Sequence, residues 1–284
     1  MRLIVETGSF ATEWAVIDKS RVISTAETEV INPILQSRRE ISRLVRLKLP
    51  AFFFHQKYEK VFYYGVGCGT SERKRIVEAS LVTQFKSPIN VHSVLYAVAR
   101  GKLQNRKGIA CVLGNHSGSG LYDGKEITDF ILSGGYIMGD EGSAAVLGRM
   151  FIADLLRDIP PSELVRGFYT YSKLNEAKIH DIIYKHPQPE PEHFFVSVSQ
   201  FLKGHLEHSY VRELVLNNFR DFFARCVKRY KYEGLPICVV GHTACDFNPL
   251  LKKVAKEFNA NLEDNITKTP MEGLVEYHLN HPEI

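Results

Sequence analysis

The stretch SGGYIMGDEGSAAVLG (residues 133–148) is the most informative part of this chain. Two adjacent acidic residues, Asp140 and Glu141, are flanked by glycines directly before a run that is typical of a helix. Asp140 and Ser143 are good residue types for a helix N-cap, and Glu141 is favourable in a first turn. Capping alone does not require so many glycines, and their density indicates that the backbone lies close to a ligand. The segment therefore predicts a binding site at the start of a helix.

Four turns of small residues follow predicted strands along the chain. They are TGSFAT (7–12), GVGCG (65–69), GNHSGSG (114–120) and GHTA (241–244). In α/β sheets ligands bind outside the carboxyl ends of the strands, where turns of Gly, Ser and Thr offer N–H groups and hydroxyls to phosphate oxygens. One such turn is often an ordinary β-turn. Four of them together predict a phosphate-binding α/β protein.

The order of the predicted elements is similar in the two halves of the chain. The first half reads as a hairpin (3–5 and 12–17), a helix (38–49), a strand (60–64), a helix (71–85), a strand (89–91) and a helix (94–103). After a basic linker at 105–108, a strand (108–113), a glycine-rich turn and a strand (120–122) repeat the opening hairpin, which indicates an internal duplication. The rest is mostly helical: helices at 144–158, 161–170, 176–184, 191–207 and 213–230, a loop at 187–191, a strand at 236–240 and a last helix after Pro270.

Composition excludes several classes of protein. A chain of 284 residues with 44% hydrophobic residues can bury a sizeable core, so disordered and fibrous classes do not fit. The net charge of +4 comes without a dense polybasic run, and we expect no nucleic-acid partner. No apolar run approaches the length of a membrane span, so no membrane partner is expected. The five cysteines lack disulfide-framework or CxxC spacing, which favours a reducing, cytoplasmic location.

Three motifs carry a resemblance to a known family. The segment 135–149, PMEGL (270–274) and INP (31–33) resemble the N-acetylglucosamine kinase-like branch of the BadF/BadG/BcrA/BcrD ATPase family, within the actin-like ATPase superfamily. The resemblance covers the full length. It implies an α/β fold of two RNase H-like domains with a central cleft, which we expect at residues 1–104 and 105–269, with the C-terminal helix (270–284) packed back on the first domain.

The resemblance also implies a ligand set. ATP and Mg²⁺ are the expected cofactors, and an amino sugar, N-acetylglucosamine above all, is the expected substrate, phosphorylated on its 6-hydroxyl. The family often dimerises, which leaves a homodimer open. The residues that match the family's site are Gly8, Ser9, Thr12, Gly114, Asn115 and Ser117 for phosphate, Gly241, His242 and Thr243 for the nucleotide, Asn32, Gly135 and Asp140 for the sugar, and Glu6 for the metal.

The chain departs from the family pattern at catalytic positions. Glu6 replaces a shorter Asp, and Mg²⁺ is demanding in its geometry. His116 replaces a phosphate-loop glycine, where it either blocks close approach or donates a hydrogen bond to an anion. Val94 stands where the family has the Asp that acts as general base, a loss that typically costs about 10²–10⁴ in rate. The adjacent His92 and Ser93 are candidate substitutes for this base.

Two functions remain open at this stage. The first is an ATP-dependent amino-sugar kinase, weakened by the lost residues. The second is a catalytically degenerate homologue that binds a sugar, a muropeptide fragment or a nucleotide as a sensor or partner protein. A redox-linked ATPase would need cysteines spaced to hold a cluster, and the five cysteines do not have such a spacing. We assign His180, His186, His193, His205 and His208 to surface and structural roles, because their spacing is not that of a metal site.

Overall fold

The computed structural model describes residues 1–187 and 190–283. The predicted loop at 187–191 includes Gln188 and Pro189, which lie outside the described residues, as does the last residue of the predicted C-terminal segment.

The first sheet has five strands in the order β3-β2-β1-β4-β5. The strands are β1 (Arg2–Thr7), β2 (Thr12–Asp18), β3 (Arg21–Thr28), β4 (Lys60–Gly65) and β5 (Ile89–Ser93). β1 is antiparallel to β2 and parallel to β4, so the chain forms a hairpin first and then crosses over through helices. Because β1, β4 and β5 are parallel, their carboxyl ends lie at the same edge of the sheet.

Helices cover both faces of this sheet. They are α1 (Arg38–Lys48), α2 (Ser71–Phe85), α3 (Val94–Val98), which continues as a π-helical turn (Ala99–Leu103), and the C-terminal α12 (Met271–Asn280). A short 3₁₀ helix (Ala51–Phe54) follows α1. Alternate strand residues point to opposite faces, and both sets are buried: one core contains Val5, Trp14 and Ile41, the other contains Ile4, Phe62 and Leu274.

The second sheet has four strands in the order β8-β7-β6-β9. The strands are β6 (Gly108–Leu113), β7 (Ser117–Tyr122), β8 (Ile127–Ile131) and β9 (Ile237–Val240). In chain order, this matches the arrangement β3-β2-β1-β4 of the first sheet, where the opening strand lies between its hairpin partner and the next strand after the crossover. The repeat agrees with the internal duplication that the two glycine-rich turns indicate.

The second half is rich in helices. They are α4 (Gly135–Met138), α5 (Ala144–Leu155), α6 (Ser162–Ser172), α7 (Glu176–Lys185), α8 (Glu190–Lys203), α9 (Ser209–Arg225), α10 (His242–Asp246) and α11 (Asn248–Glu257). The buried helix α5 packs closely against α8 because it has Gly148 at the crossing point. A Cβ on Gly148 would lie 1.9 Å from the carbonyl oxygen of Phe195, so only glycine permits this approach.

The chain divides into two compact units. The first comprises Met1–Ala110, Gly120–Asp129 and the residues from Thr269 onward, and the second comprises Cys111–Ser119 and Phe130–Lys268. The domain boundaries expected from the sequence, at 104/105 and 269/270, stay a prediction. Within the described part of the chain, no helix is both long and apolar enough to cross a membrane.

Candidate functional site

Glu6 lies near the end of β1, in the first unit, with a buried carboxyl group. It is 1% exposed, and its Oε2 atom has no hydrogen-bond partner in the described part of the chain. Glu13 lies directly opposite on β2. Burial and, to a lesser extent, the charge of Glu13 raise the pKa of Glu6 to about 8. A buried, unsatisfied carboxyl group of this kind is stabilised in its charged form when a cation is nearby.

The turn between β1 and β2 is held by hydroxyl groups. The Gly8 N–H donates to the Ala11 carbonyl at 3.1 Å. The hydroxyl of Thr12 donates to the Glu29 carbonyl at 3.0 Å and accepts from the Ile31 N–H at 3.1 Å. Thr12 is fully buried, and this geometry favours a structural role for its hydroxyl, so a phosphate contact by Thr12 stays a prediction. In this turn Phe10 is exposed, and Gly8 and Ser9 are half-buried.

Asn32 follows this turn in the same unit and presents an amide group. Its side-chain carbonyl accepts from the Ile34 N–H at 3.0 Å, and its own N–H donates to Gln36 Oε1 at 2.8 Å. The local turn therefore fixes the side chain in one orientation. Among the described residues the Asn32 side-chain NH₂ has no hydrogen-bond partner, which suits it to a sugar oxygen.

Val94 is the first residue of α3, with Ser93 at the N-cap. The position is the helix start at which the resemblance implies a catalytic Asp. Ser93 makes no capping hydrogen bond with its side chain. Valine has no proton acceptor, so the described structure offers no carboxylate at this position.

His92 is held by a buried arginine. Arg100 Nη1 lies 3.3 Å from His92 Nε2 and donates to the Tyr64 hydroxyl at 2.7 Å. The Arg100 guanidinium also lies over the rings of Tyr96 and Tyr277. Burial and the positive charge of Arg100 lower the pKa of His92 to about 3. Because its Nε2 lone pair faces a cation, this histidine is a poor base, and we do not propose it as the substitute for Asp.

In the second unit, His116 forms a network with two carboxylates. Its Nδ1 lies 3.0 Å from Asp140 Oδ2, and its Nε2 lies 3.0 Å from Glu192 Oε1 on α8. The Asp140 side chain is fully buried and that of Glu192 is 18% exposed. These hydrogen bonds raise the pKa of His116 to about 10, against the opposing effect of burial. His116, at the position where the resemblance implies a phosphate-loop glycine, is therefore an imidazolium at neutral pH.

Asp140 is engaged through both carboxylate oxygens. Ser133 Oγ donates to its Oδ1 while His116 contacts its Oδ2. Asp140 has a positive φ of 57°, and the Gly139 N–H donates to the Gly135 carbonyl at 2.8 Å, which closes the turn before it. A sugar hydroxyl could reach Asp140 only through the remaining lone pairs of the carboxylate. Sugar binding by Asp140 and Gly135 stays a prediction.

Asn218 on α9 fixes the segment that follows Asp140. Its side-chain carbonyl accepts from the Gly142 N–H at 2.8 Å, and its NH₂ donates to the Ser143 carbonyl at 3.1 Å. Asn218 is 1% exposed. Neither Asn218 nor Glu192 is a site residue in the sequence analysis, because both lie far along the chain from the motif and no local pattern marks them.

The turn after β6 and the turn after β9 meet in the second unit. The Thr243 hydroxyl donates to the Gly114 carbonyl at 2.8 Å, and the Ala144 N–H donates to the same oxygen at 2.9 Å. Gly241 has a φ of 126°, and a Cβ there would lie 2.2 Å from the Leu113 carbonyl oxygen. Three predicted elements, the second phosphate turn, the nucleotide turn and the start of α5, thus come together. Asn115 and Ser117 flank His116 here, and burial lowers the pKa of the neighbouring His242.

The residues present partly fit the expected cofactors. No group of three or more His, Cys, Asp or Glu side chains arranged to hold a metal ion occurs in residues 1–187 and 190–283. Mg²⁺ in phosphoryl-transfer sites is usually held by one or two carboxylates together with phosphates and water, so such a group is not required. The unpartnered Oε2 of Glu6, with Glu13 opposite, fits that mode of binding.

Comparisons with solved structures identify the fold. A protein from Porphyromonas gingivalis that is provisionally described as an N-acetylglucosamine kinase matches with 36% identity over 99% of this chain and 100% of its own, at a TM-score of 0.90. One from Chromobacterium violaceum with the same description matches with 16% identity over 97% and 98%, at 0.72. A ROK hexokinase from Thermus thermophilus matches with 12% identity over 98% and 96%, at 0.51. The last two, at low identity, show the fold alone. No protein-family model and no curated protein sequence matches the chain.

Two sheets of matching strand order, together with the full-length match, place the chain in the class of proteins with the actin-like ATPase fold of sugar kinases. The predicted α/β fold is therefore confirmed. At 36% identity over its whole length, the chain belongs to the N-acetylglucosamine kinase-like family that the Porphyromonas gingivalis protein represents.

Proposed function

We propose that this protein is an ATP-dependent kinase that phosphorylates an amino sugar, N-acetylglucosamine in the first place, on its 6-hydroxyl. The observation that carries the proposal is the full-length likeness, at 36% identity, to a protein provisionally described as an N-acetylglucosamine kinase. The proposed site residues are Glu6 for Mg²⁺, the turns at Gly8–Ser9 and Gly114–Ser117 for phosphate, Gly241–Thr243 for the nucleotide, and Asn32, Gly135 and Asp140 for the sugar.

The residues of this chain would position substrates more than they would activate them. When bound, ATP and Mg²⁺ supply the phosphoryl group and neutralise its charge. The Asn32 NH₂ would orient the sugar, and the imidazolium of His116 would place a positive charge next to the second phosphate turn. No group at residue 94 would accept the proton of the sugar hydroxyl. Since phosphoryl transfer depends mainly on positioning and on charge stabilisation, we expect slow transfer and not its complete loss.

A degenerate, ligand-binding homologue is the second candidate. Val94 in place of the base favours it, as does the engagement of both Asp140 oxygens by Ser133 and His116. Such a protein would bind the sugar or the nucleotide and signal occupancy to a partner. We place either form in the cytoplasm, where the five free cysteines would stay reduced. A homodimer stays a prediction.

The two candidates differ in phosphate transfer. The experiment measures transfer from labelled ATP, with Mg²⁺, to a panel of amino sugars by the native protein, Val94→Asp and Val94→Asn. The Asn variant is the matched control, because it has the shape of Asp without a basic oxygen. For the kinase we expect slow native transfer, an increase of about 10²-fold or more in Val94→Asp, and no increase in Val94→Asn.

Absence of transfer in all three proteins, with sugar or nucleotide binding intact by calorimetry, would refute the kinase and support the binding protein. Equal rates in the Asp and Asn variants would refute the assignment of residue 94 as the base position. Absence of both transfer and binding would refute both candidates.

A further inference from the structure

The exposed side of α1 forms a groove that the proposed function does not use. This arginine groove has a volume of about 720 Å³ and is lined by Arg39, Glu40, Ser42, Arg43, Arg46, Leu47 and Gln84. All of these residues lie in the first unit, six on α1 and Gln84 on α2. Arg39, Arg43 and Arg46 are spaced by four and three residues, so their side chains lie on one face of the helix.

The positive charge of the groove is only partly balanced in the described part of the chain. There, no side chain forms an ion pair or a side-chain hydrogen bond with Arg39, Arg43 or Arg46. The one acidic residue of the groove, Glu40, accepts hydrogen bonds from the Ser37 N–H and hydroxyl, both at 2.7 Å, in the capping box of α1. By contrast, Lys48 on the same helix pairs with Glu29 at 2.9 Å. With Glu40 counted, the groove keeps two positive charges in excess.

Helix stability accounts for only part of this arrangement, because Arg46 lies in the last turn of α1, where a positive charge is favourable, and Arg39 and Arg43 do not. Like charges four residues apart destabilise a helix by about 0.2–0.5 kcal/mol per pair, and Arg39–Arg43 is such a pair. The position of α1 is fixed from its other side, by the fully buried Ile41 and Val45. The three arginines are exposed, and all three line the same concave surface.

Guanidinium groups select the chemistry of the ligand. Their planar, forked N–H donors match phosphate oxygens in pairs and hold them more strongly than neutral donors do. The volume of the groove lies within the range of small-molecule sites, about 300–1,000 Å³. The half-buried amide of Gln84 adds a neutral donor and acceptor at the α2 side. We propose that the arginine groove binds a phosphate-bearing small molecule, either a sugar phosphate or a nucleotide, at a site separate from the proposed phosphate turns.

The test is titration calorimetry on three proteins: the native chain, the groove variant R39Q/R43Q/R46Q, and a control variant R21Q/K57Q/R75Q. The control removes the same charge from exposed positions of the first unit outside the groove. The probes are sodium tripolyphosphate, a hexosamine 6-phosphate and ADP. In the groove variant we expect the affinity of one tripolyphosphate site to fall by about 10³-fold, which is about tenfold for each of the three arginines. In the control variant we expect this affinity to be unchanged. The hexosamine 6-phosphate and ADP are then compared, and the one whose affinity falls more in the groove variant identifies the source of the phosphate.

The proposal is overturned if the native protein does not bind tripolyphosphate, if the groove variant binds all three probes as the native protein does, or if both variants lose the same affinity. It is also overturned if the groove variant changes only the oligomeric state in light scattering, which would make the groove an interface between two copies. Phosphate transfer is measured on the same samples. The groove proposal does not rest on the proposed function, so loss of one result leaves the other interpretable.

Discussion

Replacing His116 by Asn removes the charge between Asp140 and Glu192 but keeps a polar side chain. The pKa of His116 is raised from 6.5 to about 10, which corresponds to about 5 kcal/mol at 1.36 kcal/mol per pKa unit. The His116 side chain is 45% exposed, so solvent screens its charge, and we reduce the expected contribution to about 2 kcal/mol. The same network binds the buried Asp140 carboxylate, so loss of the network destabilises the folded state.

The sign of the pH dependence follows from the raised pKa. The folded protein binds the His116 proton more tightly than the unfolded chain does, so the contribution is fully present below pH 6.5. It is lost as the pH rises towards about 10. We therefore expect His116→Asn to be less stable than the native protein by about 2 kcal/mol at pH 6, and equally stable above about pH 10.

Urea unfolding of both proteins at four pH values between 6 and 10.5 measures this difference, and NMR of ¹⁵N-labelled histidine rings reports the ionisation directly. His186→Asn is the matched control, since the pair of His186 with Glu190 is exposed on both sides and should contribute at most about 1 kcal/mol. A stability difference that stays constant from pH 6 to 10.5, or a His116 ring that titrates near pH 6.5, would refute the reasoning.

Three further changes test other parts of the structure. Glu6→Gln should stabilise the Mg²⁺-free protein by on the order of 3 kcal/mol at pH 9. The pKa of Glu6 is raised to about 8, so the stability of the native protein falls as the pH rises from 4.5 through 8. Thermal unfolding measures this difference, and addition of Mg²⁺ should stabilise the native protein and not the variant. Gly148→Ala should cost about 3 kcal/mol in urea unfolding because its Cβ would meet Phe195, whereas Gly167→Ala, with no atom nearer than 3.9 Å, should be neutral or stabilising; equal effects would contradict the close-packing argument. Thr12→Val should cost about 2 kcal/mol, since it leaves the buried Ile31 N–H without its acceptor, and a loss of ATP affinity without a loss of stability would show instead that the hydroxyl serves the phosphate.

The sequence predicts the buried parts of the fold well. The observed α2 has the predicted bounds, Ser71–Phe85, and β6 has the predicted bounds, Gly108–Leu113. β6 is an apolar run that is buried along almost its whole length, and α2 begins after the favourable N-cap Thr70 and buries Val77, Leu81 and Phe85 at four-residue spacing. Where the pattern and the boundary residues agree, tertiary contacts do not need to override them.

The elements that the sequence analysis did not predict have weaker local signals. β3 (Arg21–Thr28) is mostly polar and half exposed, and its pairing with β2 decides its conformation. β8 (Ile127–Ile131) is likewise exposed along most of its length. The short α10 and the following α11 begin directly after the turn at Gly241, where the small residues dominate the pattern.

The candidate site is likewise predictable from the sequence only in part. Motifs that lie within one stretch, such as the turn at 7–12 and the segment at 133–148, are visible from the sequence. Contacts between distant residues are not: Glu192 to His116, Asn218 to Gly142, and Arg100 to His92 depend on packing. The contact of Arg100 with His92 changes the chemistry most. From the sequence, His92 is a candidate substitute for the base that Val94 lacks, but the guanidinium beside it lowers its pKa and makes it a poor base.

The return of the C-terminal helix to the first unit has a consequence for synthesis on the ribosome. Leu274 and Val275 of α12 cover a face of the first sheet that includes Ile4, Ala15 and Phe62, residues that are translated before the second unit. Part of that apolar face stays open while the second unit is being made, because Leu274 and Val275 are translated after that unit. The second unit can finish folding before the first, and a nascent chain stalled before residue 270 would present a surface suited to chaperone binding.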